Sequence, residues 1–155
     1  MRLRDDHAFE QRKATIVAVL DDDGDVLLAD TGKAAPERAV RFELAAPRHP
    51  LAELGRFRYG EVFHRDGAGW VLTSYTYDYL DLEHGGRLAY HWHPLPGGPA
   101  VHHLHCRPPV GRPSVSHFRA YEVDLLEAHE EFARLFASGT PIDCTGLRPL
   151  RPAGD

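Results

Sequence analysis

Little in this sequence is extreme, and what it lacks narrows its class before any motif is read. Two cysteines, Cys106 and Cys144, in 155 residues are too few for the disulfide framework that staples small secreted domains, and both are expected reduced. There is no excess of positive charge. The 18 Lys and Arg face 23 Asp and Glu, with a slight negative balance in each of three successive segments, which excludes a clamp that holds duplex nucleic acid through many uncompensated cations. Long hydrophobic runs are missing too. The longest purely apolar stretches, Ile16 to Leu20 and Val26 to Ala29, fall far short of the roughly 20 residues that cross a bilayer, so no membrane partner is expected. The first ten residues are charged and carry no apolar segment of a secretory leader, which makes the cytoplasm the expected compartment. No serine elbow, Walker loop or dinucleotide fingerprint is present.

What remains is an ordinary globular balance, 43 % hydrophobic and 26 % charged, of a size for one domain over residues 1–155. The termini, about 1–12 and 140–155, read as irregular. Between residues 14 and 107 short runs rich in β-branched and aromatic residues alternate with turn clusters. Ala14 to Leu20 and Val26 to Ala29 flank the acidic loop Asp21 to Asp25, a spacing that suits a hairpin better than a calcium loop, because the closing Glu of an EF-hand is absent. Strands are predicted at Ala39 to Leu44, Phe57 to Tyr59, Val62 to His64, Trp70 to Leu80, Arg87 to His93 and Val101 to Arg107. The period then changes. Asp124 followed by Glu127 is a capping signal, Leu125, Leu126, Ala128, Phe132, Leu135 and Phe136 repeat at helical spacing, and Gly139 marks the stop. The fold class is α+β: an antiparallel β-meander or half-open barrel packed by one C-terminal helix.

The one compositional excess is histidine. The chain has 11, and seven of them, His84, His91, His93, His102, His103, His105 and His117, fall between residues 84 and 117. Alternate residues of a strand share a face. In Arg87 to His93 the apolar set is Leu88, Tyr90 and Trp92, which leaves Ala89, His91 and His93 on the other side. If Leu104 joins Trp92 inside, then His103 and His105 join His91 and His93, and four imidazoles share one hairpin face. His84, His102 and His117 read individually as surface or core residues. A tight turn near His84 and Gly85 pairs Asp78 with His91 and Thr76 with His93, so that Asp78 would orient an imidazole or complete a metal site.

Two chemistries use such a set. Neutral imidazoles with a carboxylate bind Zn, Mn or Fe, and i, i+2 spacing on a strand lets both rings reach one ion. Alternatively a neutral and a protonated histidine act as general base and general acid on an RNA phosphodiester, since the unperturbed pKa lies near working pH. The catalytic candidates are therefore His91, His93, His103, His105 and Asp78, and the metal candidates His91, His93, His103 and His105. Weaker features are the tyrosine stripe Tyr75, Tyr77, Tyr79, read as core, and Arg107, Arg112 and Arg119, read as a solvated loop rather than a phosphate site. Cys106 lies on the face opposite the histidines and reads as core.

The order of paired tyrosines, a Gly turn, Tyr90-His91-Trp92-His93-Pro94, a proline-bearing loop, His102-His103-Leu104-His105 and a Leu-rich C-terminal helix resembles the TumE-like group of small bacterial proteins over residues 70 to 137. The matching residues are Tyr77, His91, His93, His103 and His105. The resemblance implies a growth-inhibiting toxin of a type II toxin-antitoxin pair, restrained by a helix-turn-helix antitoxin; RNA as a target comes from the acid–base reading of the histidines, and a homodimer is compatible with the aromatic strand face. Gly85 followed by His91-Trp92-His93 is also similar to the opening of the first cupin motif, without its glutamate. That alternative implies a small metal-binding β-barrel enzyme. A non-catalytic interaction module is the third reading.

Overall fold

The computed structural model describes residues 1–32, 36–47, 55–94, 99–108 and 116–147, with residues 45–47, 116 and 119 described as backbone only. The elements run β1 (Arg2–Leu3), α1 (Asp6–Asp21), β2 (Gly24–Asp30), β3 (Glu37–Pro47), β4 (Gly55–Asp66), β5 (Gly69–Asp81), β6 (Gly86–Pro94), β7 (Ala100–Arg107), β8 (Ser116–Arg119) and α2 (Leu125–Ser138). The strands form one antiparallel sheet in the order β2-β3-β4-β5-β6-β7-β8, with β1 added to β5. The sheet is open, and both helices pack on one of its faces.

That face is built by alternation. Phe57, Tyr59, Glu61 and Phe63 of β4 and Tyr75, Tyr77 and Tyr79 of β5 are buried, as the period of a pleated strand requires when one side is covered. Phe132 of α2 lies against Tyr59, Tyr79 and Tyr90, with ring centroids 5.8–6.3 Å apart. The helix begins where expected. Asp124 and Glu127 close a reciprocal capping box, and Gly139 takes the left-handed conformation at φ 60, a region open to glycine without steric cost.

The N-terminal half differs from the expectation. Residues 14–20 are not the first strand of a hairpin but the second half of α1, capped by Asp5, whose carboxylate accepts from the Ala8 N–H at 2.7 Å. Tertiary packing overrides the β-branched run Thr15-Ile16-Val17. Phe9, Ile16 and Leu20 are buried at helical spacing, with Phe9 against Phe63 and Trp70. Arg12 and Lys13 interrupt the apolar stripe and hide it, because each is neutralised by partners elsewhere: Arg12 by Glu61, Lys13 by Asp30. The stretch 1–12 is thus largely ordered, and β2 pairs with β3 rather than with the preceding segment. The two short strands expected around residues 57–64 are one, β4, with a register shift between Val62 and Phe63.

The cysteines are also a correction. Cys106 on β7 and Cys144 beyond α2 form a disulfide, with Cα atoms 5.9 Å apart. It ties the C-terminal segment back across the sheet, where Ile142 sits against Gly86.

Candidate functional site

The face of the sheet opposite the helices carries the histidines. Strands β6 and β7 are in the register His91↔His103 and Ala89↔His105, and β7 with β8 in the register His105↔His117. Parity does the rest. Leu88, Tyr90, Leu104 and Phe118 point to the helices, so His91, His93, His103, His105 and His117 point away together. Their rings converge: centroid separations are 4.3 Å for His91 and His105, 4.8 Å for His93 and His103, 4.9 Å for His103 and His105, and 4.3 Å for His105 and His117.

The four rings derived from alternation are therefore in contact, and a fifth, His117, joins them from β8. That strand was not foreseen in the proline-rich stretch after Arg107. The signal was the alternation His117-Phe118, an outward ring followed by a buried one. Of the arginines weighed there, Arg112 and the side chain of Arg119 lie outside the described residues.

Asp78 is not where the turn argument put it. The β5–β6 register is Thr76↔His91 and Asp78↔Ala89, two residues from the predicted pairing. The turn closes as Asp81↔Gly86 around Leu82 to Gly85. Asp81 accepts from the His84 backbone N–H at 3.0 Å and lies 2.9 Å from its ring Nδ1, and Gly85 supplies φ 75. Asp78 instead receives a two-pronged bond from Arg87, at 2.9 and 2.7 Å, and so does not orient a histidine.

Backbone carbonyls take that role. His93 Nδ1 lies 3.0 Å from the Pro94 carbonyl and His103 Nδ1 lies 3.1 Å from that of Val101. A carbonyl only accepts, so each Nδ1 carries a proton and Nε2 is the atom left to act as a ligand. His103 is fully buried. Its Nε2, both ring nitrogens of His91 and Nε2 of His105 are buried with no hydrogen-bond partner among the described residues. Burial, reinforced by the neighbouring rings and Arg87, pulls His91 down to about 3 and His105 down to about 4; burial also lowers His103. These rings are neutral at pH 7 and have lone pairs to give.

Two triads have donor atoms within 4.8 Å of one another: His91, His93 and His103, and His103, His105 and His117. Three imidazoles with no carboxylate are a donor set for Zn, Mn or Fe. Since Nδ1 of His103 is committed to Val101, its single Nε2 serves one ion only. The triads are alternatives sharing one ligand, not a two-ion centre.

The other histidines of this region are paired. His102 Nδ1 meets Tyr75 Oη at 2.9 Å on the helix side, and its ring stacks on Trp92. Comparison of the chain with protein-family models, with curated proteins and with solved structures finds no match.

Proposed function

We propose that the chain is a metal-dependent enzyme with one divalent transition-metal ion at the histidine cluster. The observation that supports it is the set of buried ring nitrogens on His91, His103 and His105 that no group of the described residues satisfies. Leaving a buried polar atom unpaired costs about 1–3 kcal/mol, a cost that coordination removes. A bound ion of this type supplies Lewis acidity and makes water a nucleophile near neutral pH. The protein's own part would be to hold the three imidazoles of one triad with donor atoms within 4.8 Å of one another, with His93 and His103 oriented by backbone carbonyls.

The toxin reading, with restraint by a helix-turn-helix partner, rests on the resemblance, and cleavage of RNA on a pair of histidines acting as base and acid. One geometric point supports its acid–base form: His117 is exposed at the rim of the cluster, its ring centroid 4.3 Å from that of His105. The Cys106–Cys144 bond pulls the other way, since disulfides persist in oxidising compartments. No helix of the described residues is long and apolar enough to cross a membrane.

Elemental analysis of untagged protein tests the principal reading: about one Zn, Mn or Fe per chain is expected from a shared-ligand site, lost in His103→Ala/His105→Ala. A folded chain that takes up no ion and gains no thermal stability from added metal refutes it. Growth arrest on expression, kept by that folded double variant, refutes a toxin acting through the cluster.

A further inference from the structure

Beside the histidines the same sheet face opens into a trough of about 470 Å³ lined by residues of β3, β4 and β5. One cross-strand row links the two. Arg41 pairs with Gly60, Gly60 with Thr76, Thr76 with His91, and His91 with His103. The row therefore runs from an arginine across a glycine and a threonine straight to the first triad. His91, facing Thr76, is the ligand nearest the trough, which makes His91, His93 and His103 the triad an occupant would meet.

The floor of the trough is low at Gly60. Gly60 has no side chain, and a Cβ built there would meet nothing closer than the Thr76 carbonyl oxygen at 3.8 Å and Arg41 Cγ at 4.0 Å. A side chain would fit there in ordinary van der Waals contact, and glycine is not required by the backbone at this position. In a strand interior glycine weakens the sheet and commonly marks close approach of a ligand or another backbone.

The charges along the trough are mostly settled within the protein. Arg58 donates to Glu43 at 3.1 Å, and Asp78 holds Arg87. Arg41 is exposed and has no hydrogen bond or ion pair among the described residues. One unpaired cation at the far end fits one anionic group. It does not fit a polynucleotide backbone, which would need a line of such cations, and the tyrosines on which bases could stack are buried on the other face.

We propose that the trough binds a small elongated molecule with a single oxyanion group, a carboxylate or a phosphate, at one end: Arg41 holds the oxyanion, and the bond to be broken lies over His91. The strands of Arg41 and His91 are three steps of about 4.8 Å apart, so anion and reacting bond are separated by up to about 14 Å. This rests on the metal-centre reading for the chemistry but not for the binding, and the two are tested separately.

The binding test uses the full chain without added metal, titrated with monomethyl suberate and, in a second arm, hexyl phosphate; the arm that binds tighter identifies the oxyanion. Arg41→Ala is expected to weaken binding about tenfold, since a forked guanidinium contact is lost, and Arg41→Lys to restore part of it. Gly60→Val, a good strand former that fills the floor, is expected to block binding while the chain remains folded. Arg56→Ala, a change outside the trough, leaves it intact. Equal binding by wild type, Arg41→Ala and Gly60→Val overturns the proposal, as does tighter, steeply salt-dependent binding of single-stranded RNA. With metal added, 4-nitrophenyl esters bearing a terminal carboxylate should be cleaved in preference to neutral esters of the same length, and Arg41→Ala should erase the preference through KM with kcat retained. Loss of ion uptake with probe binding intact refutes the metal centre and leaves the trough; normal ion uptake with no Arg41-dependent binding does the reverse.

Discussion

His103→Leu is the sharpest test of the shared ligand. The ring is fully buried, and leucine fills a similar space without polar atoms. Two terms oppose each other in the metal-free chain. Losing the Nδ1–H bond to the Val101 carbonyl costs about 0.5–1.5 kcal/mol, while removing an unpaired buried Nε2 returns about 1–3 kcal/mol. The net change runs from a loss of about 0.5 kcal/mol to a gain of about 2.5 kcal/mol, so Tm without metal falls by no more than about 2 °C for a domain of this size. The ion-dependent term behaves differently. At an ion concentration of about 100 times Kd, wild type gains about 2.7 kcal/mol, a rise of roughly 5–11 °C. His103→Leu leaves only the pairs His91 with His93 and His105 with His117, so this rise should vanish. His93→Ala or His117→Ala should each retain most of it, because either change leaves one triad whole. Differential scanning fluorimetry with zinc and with a chelator reads all four proteins. A folded His103→Leu chain with the wild-type shift refutes the shared ligand, and a metal-free loss above about 3 kcal/mol would show that the ring is there for packing.

Three further outcomes follow from other parts of the fold. Arg12→Ala should cost about 3–5 kcal/mol in urea denaturation, because Glu61 is buried with Arg12 at 2.6 Å and Tyr77 at 2.8 Å and would lose its countercharge; a loss under about 1 kcal/mol, the scale of a surface pair, refutes that account. Reducing the Cys106–Cys144 bond, which closes a loop with a sequence separation of 38, should lower stability by about 4 kcal/mol on the chain-entropy estimate, read as the difference between denaturation midpoints with and without reductant; coincident midpoints would count against it. Acid should destabilise the metal-free chain: His91 and His105 are held near 3 and 4 in the fold against about 6.5 unfolded, so the unfolded state takes up protons first. Their contribution is present above about pH 6.5 and is lost as pH falls toward about 4 and 3; urea midpoints that stay level across this window, or a slope that His91→Leu leaves unchanged, refute it.

The sequence was most legible where one periodicity covered a whole element. Asp124, Glu127 and Gly139 bounded α2 correctly, and strict alternation in β6 and β7 was enough to bring His91, His93, His103 and His105 to one face. It failed where side chains from distant segments complete the pattern. The α1 stripe is broken by Arg12 and Lys13, whose partners Glu61 and Asp30 lie in other strands. The register shift at Val62 and Phe63 made one strand look like two. Asp78 was misplaced because the turn Leu82 to Gly85, fixed by Asp81 and Gly85, is centred one residue earlier than a turn about His84 and Gly85, and with a side-chain period of two, the resulting two-residue slip keeps every face correct while changing every partner. Two cysteines at a separation of 38 carry no spacing signal at all.

Elsewhere in this chain buried histidine is treated differently. His129 is as deeply buried as its neighbours in the core, yet its Nδ1 meets Tyr59 Oη at 2.8 Å and its Nε2 meets Asp23 at 2.8 Å. His102 has Tyr75, and His84 has Asp81. Glu61 and Asp81, buried on the helix side, are likewise engaged. Five buried side-chain polar atoms lack a partner among the described residues, and four are ring nitrogens of His91, His103 and His105; the fifth is Nη1 of Arg38, whose other nitrogens bind Asp30 and Glu10. A fold able to satisfy a buried imidazole at both nitrogens, and which does so at His129, leaves them open only on the face where five rings meet beside a trough. Packing alone would have been served by valine or threonine on those strands. What distinguishes imidazole there is the unshared electron pair.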